Sequence, residues 1–333
     1  MFKINSQTDV IQLFNGQILS LPRSLEEIEE DTSELISDKY QDNVPEFWKY
    51  EKGDHIHVPV DGGEIRVIHF KPDNPIAKRP ILLVPGWAVP PITFEDYYEI
   101  MHERCELYYL ETREKTSSRM KRLAKFNMSQ KAKDIGIAIH HLGLDKRDFV
   151  LVGTCWGSSM ILQGLMDGTV NAPTIVLLDP MYKFTFSRFI TFIAPILPVP
   201  LLRLMKPFLK KKRIGDMKEK RQLERVNAVV DDAEIWKWKR AANHVRNFSL
   251  FGNLHKVHQE IFVVNSTSDY IHDSNNYPNI AHQLAKGRFL RFKADEKNRE
   301  YVIGAASLEF AKVTQDELPE SLLKFEVPMP RNF

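Results

Sequence analysis

Cysteine is scarce in this chain, which has only Cys105 and Cys155 among its 333 residues. Two thiols cannot build a disulfide framework, so a reducing compartment is expected. Neither sign of charge dominates: 46 basic residues face 44 acidic ones, and the net charge of +2 gives no reason to expect nucleic acid as a partner. The first residues also lack the uninterrupted apolar core of a secretion signal. We therefore expect a cytoplasmic protein.

Patterns typical of metal and cofactor sites are missing as well. His255 and His258 form a close pair, but one such pair without further cysteines or histidines at zinc-type spacing is weak evidence for a metal site. No glycine-rich phosphate loop follows the first predicted strand. The sequence thus predicts neither a metal nor a cofactor.

No membrane-spanning run is predicted either. Residues 189–202 are almost wholly apolar, but three prolines interrupt them and they fall short of the roughly twenty residues that a spanning helix needs. Residues 203–221 then carry nine lysines and arginines against two acidic residues. Such a pairing favours contact of segment 184–221 with a membrane surface, or with an acyl chain that has an anionic head. The alternative is a helix with an ordinary solvated basic face.

What the chain does contain is an alternation of apolar runs and helical periodicities. The predicted strands are residues 56–60, 65–70, 81–84, 105–110, 149–152, 174–178, 261–264 and 288–292. Helical patterns cover residues 129–142, 158–166 and 299–313. Strands that alternate with helices predict the α/β class, with a mostly parallel eight-stranded sheet and helices on both faces.

The spacing of these elements predicts three parts. Residues 1–50, with an acidic stretch at 25–34, are expected to form a helical extension at the N-terminus. Residues 51–180 and 256–333 carry the predicted strands and form the core. The connection at 181–255 is too long for a simple crossover, so it is predicted to be a cap or lid inserted over the sheet.

The most informative segment is Gly153-Thr154-Cys155-Trp156-Gly157, which lies between a predicted strand and a predicted helix. A sharp turn there needs glycine on both sides, because a Cβ at either position would collide with neighbouring backbone. The turn would present Cys155 at a helix N-terminus, where the helix dipole favours a thiolate. The pattern therefore predicts a cysteine nucleophile. The alternative is a buried cysteine between chance glycines.

The order of these pieces over about residues 50–315 resembles the α/β-hydrolase superfamily. The resemblance includes the Pro85-Gly86-Trp87 turn, the elbow around Cys155, the long insertion, and the Asn-Ser-Thr-Ser-Asp segment that ends at Asp269. It implies an oxyanion hole made by the backbone N–H groups of Trp87 and Trp156. Pro85 stands where the superfamily usually has histidine.

The resemblance also implies an acid and a base that assist the nucleophile. Asp269 occupies the position of the acid, and Asp179, at the end of the preceding strand, is the second candidate. The expected histidine is missing, because residues 293–300 contain none. Among histidines elsewhere, His272 is the best candidate for a substitute base.

Cysteine at the elbow is similar to two subsets of the superfamily, the dienelactone hydrolases and the polyhydroxyalkanoate synthases. The predicted function is hydrolysis of an ester or thioester of a hydrophobic acyl group through Cys155. A thiol is partly ionised near neutral pH, so acylation is feasible without a base, whereas attack by water on the acyl group is expected to be slow. Two alternatives remain: an acyltransferase like the synthases, and a catalytically silent protein that binds a lipid-like ligand or a partner.

Overall fold

The structure, a computed structural model, describes residues 10–12, 18–20, 53–87, 89–183, 195–214, 220–246, 248–266, 276–294, 299–314 and 317–329. The strands in these ranges are β1 (Val10–Gln12), β2 (Ile18–Ser20), β3 (Asp54–Val60), β4 (Gly63–Phe70), β5 (Ile81–Val84), β6 (Leu107–Glu111), β7 (Arg119–Met120), β8 (Val150–Thr154), β9 (Thr174–Leu178), β10 (Glu260–Ser266), β11 (Lys286–Phe292) and β12 (Glu326–Val327). The α-helices are α1 (Glu95–Met101), α2 (Met128–His141), α3 (Trp156–Met166), α4 (Val199–Leu204), α5 (Lys206–Ile214), α6 (Lys220–Asp231), α7 (Ile235–Val245), α8 (Asn276–Gln283), α9 (Arg299–Lys312) and α10 (Glu320–Leu323).

Ten of these strands form one sheet in the order β12-β11-β10-β9-β8-β5-β6-β4-β3, with β7 paired to β4. The six strands from β11 to β6 are parallel to their neighbours, and the remaining pairs are antiparallel. All eight strands predicted from the sequence are present. The sequence analysis missed β7 and β12 because two residues are too few to show a strand pattern.

Helices cover both faces of the sheet, which explains why its central strands are apolar throughout. Successive residues of a strand point to opposite faces. Leu151 of β8 belongs to the core cluster that includes α2, α3 and α8, whereas the next residue, Val152, belongs to the cluster that includes α1 and α9. The two cores lie on opposite sides of the sheet.

Between β9 and β10 the described residues form the four helices α4 to α7. The Trp236 ring on α7 packs edge-on against Phe126, with centroids 5.9 Å apart, and Ala241 adds to the same small cluster. These helices occupy the segment that was predicted to be a cap or lid; its role as a cap and its boundaries at 181 and 255 remain predictions. A search of the described residues finds no helix that is long and apolar enough to cross a membrane.

The N-terminal extension contains a feature that the sequence analysis did not predict. Strands β1 and β2 pair in antiparallel register, with Ile11 opposite Leu19. The helix predicted around residues 25–34 lies outside the described residues.

Candidate active site

Cys155 occupies the turn between β8 and α3 and has an unusual backbone conformation. Its φ is 49° and its ψ is −113°, a region that side-chain-bearing residues adopt only when the surroundings enforce it. The backbone N–H of Cys155 donates to the carbonyl of Leu178 at 2.8 Å, which fixes the turn against the end of β9. This is the strained strand-to-helix geometry expected of a nucleophile elbow.

The flanking glycines are required by close backbone contacts. A Cβ on Gly157 would lie 2.7 Å from the carbonyl oxygen of Pro85 and closer still to that of Val84. A Cβ on Gly153 would lie 2.8 Å from both the nitrogen and the Cα of Ser158. Helix α3 can therefore approach β8 and the end of β5 only because these positions carry no side chain.

The Cys155 thiol is partly exposed, and two features border it. Its Sγ lies 3.4 Å from the sulfur of Met181, and the Ser159 hydroxyl fixes that methionine by donating to its carbonyl. On another side lies Gly86, where an added Cβ would be 3.6 Å from Sγ and 3.3 Å from the Cβ of Cys155. The turn after β5 thus runs directly beside the thiol.

Trp87 and Trp156, the two residues predicted to supply backbone donors, directly follow the two residues of this contact, Gly86 and Cys155. Trp87 follows Gly86, and Trp156 is the first residue of α3, where helix N–H groups have no acceptor within the helix. Their rings pack together with centroids 5.9 Å apart. The Trp156 side chain is fully buried, whereas Trp87 is only partly buried.

A buried ion pair supports the tryptophans. The ammonium nitrogen of Lys131 lies 3.1 Å from a carboxylate oxygen of Glu114 and 4.7 Å from the centre of the Trp87 ring. Both charged side chains are at most 1% exposed. Burial opposes ionisation of Glu114, but the positive charge of Lys131 holds the pKa of that carboxyl below its usual value.

Lys115 adds a second buried amine at the same edge of the sheet, in the segment that follows β6. Its side chain is 1% exposed, and no residue in the described part of the chain forms a hydrogen bond with its ammonium nitrogen. Burial lowers the pKa of Lys115 to about 8, against the opposing influence of Glu111, Glu114 and Asp232. Lys237 of the insertion donates to the carbonyl of Lys115 at 2.7 Å, so the insertion is bound to this segment.

The sequence analysis missed this buried ionic cluster. A run such as Glu111-Thr112-Arg113-Glu114-Lys115 is typical of a solvated loop, because charged residues are rarely fully buried. The one available signal was its position directly after a buried parallel strand, at the edge where Cys155 also lies.

Asp179, the second candidate for the acid, also has a positive φ, of 46°. Its carboxylate accepts from the side-chain amide of Asn265 at 3.2 Å and from the backbone N–H of Ser266 at 3.3 Å. The guanidinium of Arg299 donates to its other oxygen. Arg299 begins α9 and lies within residues 293–300, the segment in which the resemblance implied a histidine.

Asp269 and His272, the predicted acid and substitute base, lie outside the described residues. Several described histidines lie at the edge of the sheet opposite Cys155. His69 stacks on Tyr108 near the start of β6, His258 precedes β10, and His282 closely precedes β11. Cys155, by contrast, follows the carboxyl end of β8. Parallel strands place these two groups at opposite ends of the molecule.

No cluster of three or more histidine, cysteine or acidic side chains that could hold a metal ion occurs in the ranges that the structure describes. The groups assembled around Cys155 are a thiol, backbone amides, two indole rings and a buried ion pair. This set can bind a carbonyl compound and attack it by a covalent route, with the amide N–H groups as hydrogen-bond donors to a developing oxyanion.

Comparison with solved structures identifies the fold. An esterase from Thermogutta terrifontis superposes with a TM-score of 0.63 at 14% sequence identity, and an esterase from Exiguobacterium antarcticum with a TM-score of 0.64 at 16%; each comparison covers 78% of this chain and 100% of the other. A bromoperoxidase from Bacillus anthracis gives 0.61 at 12% identity with the same coverage. No protein-family model and no curated protein sequence matches the chain. The chain therefore has the α/β-hydrolase fold.

Proposed function

We propose that the protein is an acyl hydrolase that cleaves an ester or thioester of a hydrophobic acyl group through a covalent adduct on Cys155. The backbone of Cys155 carries the proposal: a residue other than glycine is held at a φ of 49° between a buried strand and a helix N-terminus. Strain of this kind costs about 1–3 kcal/mol and persists where the surrounding structure enforces it, often at functional sites.

The proposed chemistry has two steps. In the first, the Cys155 thiolate attacks the acyl carbonyl carbon, the new S–C bond forms, and the acyl C–O or C–S bond of the substrate breaks. The alcohol or thiol leaves with the proton that the Cys155 thiol lost on ionising. Negative charge develops on the carbonyl oxygen, and the backbone N–H groups of Trp87 and Trp156 are the proposed donors that stabilise it. In the second step, water attacks the thioester carbonyl and the S–C bond breaks, which releases the acid and restores the thiol.

The second step needs a group that takes a proton from water. Arg299 lies within the segment in which a histidine was expected, and a guanidinium does not accept a proton at physiological pH. His272 remains the proposed substitute base, with Asp269 as the acid that orients it. Without such a base, hydrolysis of the Cys155 adduct is slower than its formation, and the adduct accumulates.

That asymmetry favours a second candidate, acyl transfer. An alcohol or thiol that binds in the cleft would discharge the Cys155 adduct faster than water does, and the acyl group would move to the acceptor. The proposal of a hydrophobic acyl substrate rests on the apolar composition of residues 189–202 in the insertion. A third candidate is a catalytically silent protein that binds such a ligand without an adduct. It is supported by the same apolar composition of residues 189–202.

The test combines product release with intact-mass spectrometry. Wild type, Cys155→Ala and Cys105→Ala are incubated with a series of p-nitrophenyl esters of increasing acyl length and with an acyl thioester. Cys105→Ala is the matched control, because the Cys105 thiol is 2% exposed and burial raises its pKa to about 12. Its loss should leave activity unchanged.

The outcomes separate the candidates. Sustained turnover that Cys155→Ala abolishes, and Cys105→Ala retains, supports the hydrolase. A stoichiometric burst with a stable adduct on Cys155, discharged by an added alcohol or thiol, supports the transferase. Binding of a fatty acid with neither adduct nor turnover overturns both and supports the silent protein.

A further inference from the structure

Exposed apolar side chains concentrate on one short segment of the helical insertion. Eight large hydrophobic side chains are exposed among the described residues, and four of them lie within residues 195–208. Ile196 is 81% exposed, Leu201 45%, Leu204 77% and Phe208 62%. Single exposed apolar residues are normal on a protein surface, but a cluster of four on one segment indicates a surface that meets another phase or molecule.

Three of these side chains share one helical face. Leu201 and Leu204 lie on α4, and Phe208 and Lys211 lie on α5; their spacings of three, four and three residues place them on one side of a helix. Met205, between the two helices, has helical backbone angles, so the helical path is nearly continuous. We call the face with Leu201, Leu204, Phe208 and Lys211 the basic apolar face; Arg203 is exposed at its edge, on the side of Lys206.

The opposite side of the same helices is held against the rest of the insertion. The ammonium nitrogen of Lys206 donates to the carbonyl of Asp231 at 3.1 Å, and that of Lys210 lies 2.6 Å from the Asp231 carboxylate. Lys239 of α7 donates to the carbonyl of Leu197 at 2.6 Å. These contacts keep the basic apolar face turned outward.

The charge around this face is of one sign. Residues 195–214 contain six lysines and arginines and no acidic residue, although the whole chain has a net charge of only +2. The remainder of the chain is therefore net negative. A second copy that met this face with its own corresponding face would bring two positively charged surfaces together, which opposes a two-fold dimer through this face.

We propose that the basic apolar face binds an anionic membrane surface. Leu201, Leu204 and Phe208 insert among the acyl chains just below the headgroups, and Arg203 and Lys211 contact the anionic headgroups. An amphipathic helix with apolar and basic side chains binds in this way, lying in the plane of the interface. The binding is independent of the chemistry proposed for Cys155.

The test is sedimentation of the full chain with sucrose-loaded vesicles of phosphatidylcholine alone, or of phosphatidylcholine mixed with phosphatidylserine. We expect binding to the mixed vesicles only, and a decrease as salt is raised. Arg203→Gln and Lys211→Gln should each weaken partitioning about fivefold. Leu204→Ser/Phe208→Ser should weaken it by about a hundredfold or more, as expected from the transfer free energy of two large side chains.

The matched control is Leu123→Ser/Leu323→Ser, which removes exposed leucines, 88% and 50% exposed, from outside the face. It should bind as wild type does, and so should Cys155→Ala, so failure of the proposed function would leave this result unaffected. Equal weakening by the control and the face variants would contradict the proposal. Absence of binding to both vesicle types would overturn the proposal. The face would then be covered in another way, either by a second copy, which light scattering would show as a dimer, or by the acidic residues 26–34.

Discussion

The Arg299 guanidinium donates to the Asp179 carboxylate and so joins the first turn of α9 to the end of β9. The carboxylate is 2% exposed. Arginine stays protonated at all physiological pH values, so the Arg299 guanidinium cannot serve as a general base. Asp179 directly follows Leu178, whose carbonyl accepts a hydrogen bond from the N–H of Cys155. The ion pair therefore fixes the backbone next to the nucleophile turn.

Arg299→Met is expected to destabilise the protein by about 3 kcal/mol, because it leaves a buried carboxylate without its charged partner. Urea denaturation measures the change. The control is Arg288→Met, since Arg288 pairs with Glu326 at 2.7 Å but both side chains are more than a quarter exposed. That loss should be about 1 kcal/mol or less. Equal losses in the two variants would show that burial does not set the contribution of the Arg299 pair.

Gly86→Ala should slow acylation of Cys155 without unfolding the protein. The new Cβ would lie 3.3 Å from the Cβ of Cys155 and 3.6 Å from its sulfur, so it displaces the thiol or an approaching carbonyl by a few tenths of an ångström. We expect a decrease of about tenfold in the rate of adduct formation, since covalent attack depends on close alignment. Time-resolved intact mass measures that rate.

Gly168→Ala is the control for this substitution. Gly168 has a φ of 68° and open space around it, so an added Cβ strains the backbone without approaching the thiol. It should lower the free energy of unfolding by about 1–2 kcal/mol and leave the acylation rate of the folded protein unchanged. A wild-type acylation rate in Gly86→Ala would show that Gly86 does not border the reacting atoms.

The parts of the fold and of the candidate site that the sequence predicts are those determined by neighbouring residues in the chain. The apolar runs and the glycines around Cys155 express local backbone requirements, so the sequence predicted the sheet, its flanking helices and the turn. The partners of Asp179 and Glu114 are set by contacts between segments distant in the sequence. Arg299 lies 120 positions from Asp179, and no periodicity encodes that distance. The same holds for burial of the charged segment after β6.

The Lys131–Glu114 pair predicts a non-additive response to substitution. Lys131→Met or Glu114→Gln alone should destabilise the protein by about 3–5 kcal/mol, because each leaves a buried charge unpaired. The double variant should lose less than the sum of the two, which a double-mutant cycle in urea would show. Lys133→Met, at an exposed position of the same helix, should change stability by about 0.5 kcal/mol or less. Strict additivity of the two buried substitutions would contradict the pairing.

Lys115 predicts a specific dependence of stability on pH. Burial lowers its pKa from 10.5 to about 8 in the folded protein, while the unfolded chain keeps the ordinary value. Between these two pH values the unfolded chain binds more protons, so the free energy of unfolding rises with pH. The stabilisation from this group is complete above 10.5 and is lost as pH falls through 8. The total change corresponds to about 3 kcal/mol.

Denaturation of wild type and Lys115→Met at a series of pH values from 7 to 11 isolates this contribution, because other alkaline titrations are common to both proteins. Wild type should gain about 3 kcal/mol of stability relative to the variant across that range. Lys121→Met, at an exposed position, controls for the loss of one positive charge. A difference between wild type and Lys115→Met that stays constant with pH would mean that Lys115 titrates alike in both states, and that its amine is solvated rather than enclosed beneath the insertion.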